Sequence, residues 1–236
     1  MKLNKAEKSL IDELVAHYEK NQGKLRCFLL DQVQPVLTSP ANDLVACVHS
    51  FKSRLKDPQH LRRKLTEKML ETKVGKRKFQ INRQNLFWKI NDLVGIRILH
   101  LHTRQMQVID KALREILADA RFNIIEGPYA RTWDDETKTF FKEIGIKTKQ
   151  SGPSMYTSVH YVIDSNSRTR YTAEIQVRTL AEELWGEVSH VIDYPAPCTS
   201  LACREQIRVL ARLTSGCTRL VDSIFRTFEE HKSKSN

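Results

Sequence analysis

The sequence predicts an α+β fold, a mixed β-sheet of about five strands flanked by helices, and three observations carry that prediction. Apolar residues recur at helical spacing, most clearly at Met106, Ile109, Leu113, Ile116 and Leu117. Other segments have strand character: Gly95 to Leu101 is rich in branched apolar residues, and Tyr171 to Arg178 alternates polar with apolar. The segments follow the order helix, strand, helix, strand, helix, three strands, helix, which implies a mixed sheet covered by helices. At 236 residues the chain is long enough for one substantial core with helical additions. It divides into an N-terminal helical extension (1–42), a central domain (43–195) and a C-terminal helix (196–236).

The extension rests on Leu10, Ile11, Leu14, Val15 and Tyr18 at helix spacing, with Pro35 and Pro40 expected to end it. From Cys47 to Lys56 a strand is predicted, in which Lys52, Arg54 and Lys56 alternate with Phe51, Ser53 and Leu55. Asp57-Pro58 stops it, and a helix carrying Leu61, Leu65 and Met69 follows. Lys73 to Lys78 reads as a basic loop, and Asn85 to Ile90 as a short helix leading into the Gly95 strand. After the Met106 helix come a strand at Phe122 to Ile125 and a polar connection from Gly127 to Ser154, longer than ordinary loops, so either a lid or unrecognised structure. Strands near Ser158 to Ile163 and Tyr171 to Arg178 complete the sheet. Past Pro195 and Pro197, Ile207, Leu210, Cys217, Leu220, Val221 and Ile224 form the stripe of a long helix that packs on the domain or on another subunit.

A formal charge of +11, held alongside 28 acidic residues, points to a polyanionic partner: nucleotide phosphates, RNA or an acidic surface. No apolar run reaches membrane-span length and the amino terminus lacks a secretory core, so a cytoplasmic protein without membrane attachment is expected. The five cysteines show no paired zinc-ribbon spacing and read as reduced thiols.

The chemistry concentrates on the strands. Glu174, Gln176 and Arg178 share one strand face, opposite Ala173, Ile175 and Val177. A carboxylate, an amide and a guanidinium in one row suit a ligand with metal and phosphate, although a solvated strand face fits the row equally on its own. Thr179 and Glu182 form a capping box that starts the following helix. Asp92 stands at the head of the Gly95 strand, where it could share a magnesium ion (Mg2+) with Glu174 or merely cap a turn. Arg54 and Lys56 offer a planar cation and a mobile one, or the protected edge of a sheet. Tyr156, Ser158 and His160 follow Lys147 and Lys149, and here a base platform competes with plain core aromatics. Glu183, Glu187 and His190 share a helix face that is solvated or supports the site more readily than it ligates a transition metal. The chain has no Gly-rich phosphate loop, zinc-protease helix or nucleophile elbow.

Four of these segments, read in order, resemble the RelA/SpoT-type small alarmone synthetases: SRLK with Arg54 and Lys56, DLVGIR with Asp92 and Arg97, YTSVHY from Tyr156 to Tyr161, and EIQVRT followed by Trp185 and His190. The resemblance implies a nucleotidyltransferase-like synthetase domain and a pyrophosphokinase that moves the β,γ-diphosphate of ATP to the 3′-hydroxyl of GDP or GTP. It further implies that Arg54, Lys56 and Arg97 bind ATP and that Asp92 and Glu174 hold magnesium, with Glu174 also accepting the hydroxyl proton. Tyr156 would stack on guanine while His160, Gln176, Arg178 and Lys149 line the acceptor side. Members that make guanosine alarmones commonly carry Gly before this tyrosine and Lys or Arg after it, whereas this chain has Met155 and Thr157. That departure admits a relative that pyrophosphorylates the tRNA 3′ end, and a non-catalytic nucleotide- or RNA-binding module is the reading from another class. The His-Asp pair of the family's hydrolase is missing, so a stand-alone synthetase is expected, with a homo-oligomer built through the C-terminal helix.

Overall fold

The computed structural model describes residues 2–150, 154–165, 169–193 and 198–235. Its centre is a six-stranded mixed sheet with the strand order β1-β2-β6-β5-β3-β4. The strands are β1 (Ser50–Leu55), β2 (Val94–His100), β3 (Asn123–Thr132), β4 (Lys147–Gln150), β5 (Ser158–Asp164) and β6 (Thr172–Thr179). β2 runs parallel to β6 and β3 parallel to β4, while the other neighbours are antiparallel.

The N-terminal extension begins with α1 (Lys5–Cys27), started by a capping box between Asn4 and Glu7. Its stripe of Ile11, Leu14, Val15 and Tyr18 is buried as expected. Pro35 does not end the helical section. A π-helical stretch, Phe28–Val33, carries the chain into α2 (Gln34–Thr38), where Pro35 occupies a first-turn position that needs no N–H donor. α3 (Asp43–Cys47) takes up Cys47, the first residue assigned to the first strand, which starts only at Ser50.

Asp57 then caps α4 (Pro58–Val74), its Oδ1 accepting from the Gln59 and His60 amides at 2.8 and 3.1 Å. The helix runs into the stretch read as a basic loop, and Lys73 in its last turn pairs with Glu7 at 2.6 Å. A short α5 (Leu86–Lys89) leads into β2, and α6 (Met106–Asp119) buries Met106, Ile109, Leu113 and Leu117. The long polar connection is unrecognised structure rather than a lid. β3 continues through Gly127-Pro128 to Thr132, followed by α7 (Asp135–Glu143) and β4. That accounts for the sixth strand.

α8 (Leu180–Asp193) follows β6 through the predicted box: the Thr179 hydroxyl accepts from the Glu182 amide at 3.2 Å and the Glu182 carboxylate from the Thr179 amide at 2.9 Å. α9 (Leu201–Ser235) then packs on α8, with the Trp185 indole donating to the Ile207 carbonyl at 3.0 Å. Its seat differs from the predicted stripe. Ala211, Thr214 and Thr218 are the residues it buries, whereas Cys217, Leu220 and Ile224 are exposed. The break expected at Pro195 and Pro197, with the 195/196 boundary, lies outside the described residues.

Register explains why one side of the sheet is core and the other is not. Directly paired residues share a face, so Ile96, Ile175 and Tyr161 line up, as do Ile98, Val177 and Val159. These side chains belong to the apolar cluster that α1, α4 and α6 complete. The neighbouring rows, Gly95-Glu174-Val162 and Arg97-Gln176-His160, face the other way, toward α8.

Candidate active site

The polar rows form the floor of a cleft of about 420 Å³ that α4 and α8 wall in. Arg54, Asp92, Arg97, Tyr156, His160, Glu174, Gln176 and Arg178 all line it, so residues as far apart in the sequence as Arg54 and Arg178 meet there. Arg54 enters from β1 opposite Gly95.

Glu174 is held at both oxygens. Oε1 lies 2.9 Å from His160 Nδ1, and Oε2 accepts from the Gln176 amide at 2.7 Å. Burial alone would raise its pKa, but the hydrogen bonds from His160 and Gln176 outweigh burial and leave it below the ordinary carboxylate value. Glu174 is therefore an acceptor, so His160 Nδ1 carries the shared proton. His160 Nε2 is buried with no hydrogen-bond partner.

Asp92 is the second carboxylate. Its Oδ2 lies 2.8 Å from Lys56 Nζ and 2.8 Å from Lys64 Nζ, while Oδ1 is buried without a partner. Burial again pushes upward, and Lys64 and Lys56 more than reverse it, to about 2. A magnesium site needs few carboxylates, since waters and substrate phosphates supply its other ligands. The residues fit that demand, with two acids on the cleft wall and one open buried oxygen on Asp92. Among the described residues no cluster of three or more His, Cys, Asp or Glu could hold a metal on its own, which leaves phosphate oxygens to complete the shell.

Arg97 and Arg178 are anchored from behind. Glu183, itself buried, pairs with Arg97 at 3.1 Å, with Lys52 at 2.9 Å and with Arg178, and Glu187 pairs with Arg97 and with Lys52 at 3.4 Å. Of the two readings of that helix face, solvated or supporting the site, the second holds for the two glutamates, which fix cations of the site. His190, at the far end of the same face, meets the His60 ring edge-on at 5.4 Å. Gly186 belongs to the same arrangement, because a Cβ there would lie 2.6 Å from Arg178 Nη1.

Tyr156 precedes β5 rather than lying in it. Its hydroxyl donates to Gln176 Oε1 at 3.3 Å, and the Arg178 guanidinium lies 5.7 Å from its ring centroid. Lys149 does not line the cleft. It sits on the edge strand β4, 3.6 Å over the Tyr129 ring, which in turn stacks on His160 at 5.3 Å. Lys56 lies just after β1 and reaches the site only through Asp92. Residues absent from the sequence reading also line the cleft: Arg63, Lys64, Arg131, Ser189 and Asp193. Lys64 carried one signal, a lysine beside the Leu61-Leu65 stripe in a helix that starts directly after Lys56. Arg131 carried none, because its strand is interrupted by Gly127-Pro128.

The family model described as the region found in RelA/SpoT proteins matches residues 53–198. A GTP pyrophosphokinase family protein from Streptococcus pneumoniae has a similar fold, with a TM-score of 0.55 at 16% identity over 97% of each chain. The small alarmone synthetase 1 of Bacillus subtilis bound to its product pppGpp aligns over 93% of this chain and 96% of its own, with a TM-score of 0.51 at 17% identity. The same synthetase bound to AMPCPP aligns over 93% and 98%, with a TM-score of 0.53 at 13% identity. No curated protein matches the sequence. Since the family region covers more than half of the chain, with the cleft and all of the sheet except the start of β1, this chain belongs to the RelA/SpoT family.

Proposed function

We propose that the protein is a pyrophosphokinase that transfers the β,γ-diphosphate of ATP to the ribose 3′-hydroxyl of GDP or GTP, giving AMP and (p)ppGpp. One observation carries this reading: Asp92 and Glu174, from different segments, meet in a single cleft ringed by Arg54, Arg63, Lys64, Arg97, Arg131 and Arg178. A relative of the same fold is known bound to its product pppGpp and, in a separate structure, bound to AMPCPP, which supports nucleotide substrates for this cleft.

In this reaction the 3′-oxygen attacks the β-phosphorus of ATP, the bond from that phosphorus to the α-phosphate bridging oxygen breaks, and AMP leaves. Glu174, oriented by His160 and Gln176, takes the hydroxyl proton. Arg54 stacks on adenine, Lys64 and Arg97 meet the donor phosphates, and Lys56 serves the donor side by holding Asp92. On the other side Tyr156 stacks on guanine, and His160, Gln176 and Arg178 line the acceptor, with Lys149 adding charge from the sheet edge. Magnesium held by Asp92 and Glu174 would neutralise the phosphate charge as the diphosphate moves. Phosphoryl transfer depends mostly on positioning and charge, and the Glu183 and Glu187 pairs supply both by fixing Arg97 and Arg178 before substrate arrives.

The exposed stripe of α9 is read as the seat of a second copy, because Leu213, Leu220, Ile224 and Phe228 are each more than half exposed along one helix face. The catalytic reading is tested with γ-labelled ATP, magnesium and, in separate tubes, GDP, GTP and bulk tRNA. Label on a guanosine nucleotide is the expected result. Label on tRNA would replace the acceptor, and label on neither would leave a binding module.

A further inference from the structure

Asp92 is more completely engaged with cations than a waiting metal ligand needs to be. Both lysine ammonium groups bind one oxygen, Oδ2, at 2.8 Å each, while Oδ1 is buried and has no partner. The two lysines are not equivalent. The Lys56 side chain is 9% exposed, and its main chain is fixed by its amide to the Leu93 carbonyl at 2.9 Å and by the Tyr18 hydroxyl to its own carbonyl. The Lys64 side chain is 34% exposed, stands in the second turn of α4 and lines the cleft itself.

The charges of the two lysines cancel those of Asp92 and Glu174. A divalent ion arriving alone meets a site without net negative charge, with two ammonium groups against the carboxylate it needs. A phosphate-bearing donor changes that balance, since a mobile ammonium on a flexible stem moves readily to phosphate oxygens. We propose that Lys64 is a positioning residue that occupies the cation place on Asp92 until donor phosphates draw it away, so that the divalent ion binds together with the nucleotide and not before it. This deepens the donor-and-metal reading of the cleft and rests on it.

Lys56 remains in the wall as the permanent partner that keeps buried Asp92 ionised. Lys64 is the exchangeable one. The arrangement keeps the diphosphate-transfer centre incomplete in the absence of donor.

The test needs no turnover and no nucleotide. The purified full chain is titrated with Mn2+, and free ion is followed by electron paramagnetic resonance. Lys64→Met is expected to bind Mn2+ about tenfold or more tightly than the unaltered chain, since one opposing charge has gone. Lys64→Arg keeps the charge and is expected to match the unaltered chain. Lys64→Met combined with Asp92→Asn is expected to lose the gain. The proposal is overturned by Lys64→Met binding no more tightly, by a gain that survives Asp92→Asn, or by Lys64→Arg behaving as Lys64→Met. Circular dichroism of each variant checks the fold. A gain with no pyrophosphate transfer to any acceptor would uphold the placeholder and overturn the assigned reaction, so the two failures are told apart.

Discussion

Asp92 and Glu174 carry the account at the scale of single residues, and they differ in kind. Glu174 is held by His160 and Gln176 in the posture of a base, whereas Asp92 is a buried anion kept ionised by lysines. Glu174→Gln keeps the shape and the Gln176 contact but cannot take a proton, so transfer should fall by about 10²–10⁴-fold, with thermal unfolding little changed. Tyr156 separates two roles in one side chain. Tyr156→Phe loses only the 3.3 Å bond to Gln176 and should stay within a few-fold of full activity. Tyr156→Ala removes the ring and should raise the acceptor KM by the equivalent of roughly 1–3 kcal/mol, read from initial rates against acceptor concentration. The shared face of Glu174, Gln176 and Arg178 was legible in the sequence because a strand's two-residue period sets it whatever the tertiary context. Lys64 was not legible as a partner of Asp92, since their meeting depends on how α4 lies against the head of β2, and nothing local records that.

Between β6 and α9, helix α8 does two jobs, and each makes a prediction at the scale of the element. Its Gly186 gives room to Arg178, whose guanidinium a methyl at 186 would crowd at 2.6 Å. The crowded atoms end a flexible side chain, and alanine favours the helix by about 1 kcal/mol over glycine. Gly186→Ala should therefore keep its unfolding midpoint near that of the unaltered chain while losing activity, on the order of tenfold, as measured by parallel denaturation and rate assays. The N-terminal turn of α8 holds Glu182, whose carboxyl burial pushes up to about 7 despite the hydrogen bond it accepts from the Thr179 amide. The folded chain keeps this proton over a range where the unfolded chain, near the ordinary value of 4.5, has released it. The stability it adds is full below that ordinary value and is lost as pH rises through about 7. Urea unfolding at pH 5.5 and 8 should show that fall, and Glu182→Gln should flatten it. The capping box was readable because its partners are three residues apart. The second half of β3 and all of β4 were not, since their residues are polar and the first is interrupted by Gly127-Pro128, so their strand character comes from pairing with β5 and with each other.

For the whole molecule, the sheet order brings β1, β2, β6 and β5 side by side, and that adjacency turns four scattered sequence segments into one cleft. α9 seats on the body with small and polar residues, Ala211, Thr214 and Thr218, and through hydrogen bonds such as that between His102 Nδ1 and Asp222 Oδ1 at 2.7 Å. Its apolar periodicity was legible in the sequence, but which side would meet the body was not, because the receiving surface is formed by Thr179, Asp134 and His102 from three other places in the chain. With Leu220 62% and Ile224 56% exposed, light scattering should find a species larger than the 27.4 kDa chain. Leu220→Glu with Ile224→Glu should return it to one copy. The central claim is that this cleft moves a diphosphate as a unit, and the adenosine product tests it most directly. In a reaction with ATP and GDP, ion-exchange chromatography should find AMP formed one-to-one with a guanosine nucleotide that has gained two phosphates. ADP with a singly phosphorylated product, or free phosphate without transfer, would contradict it.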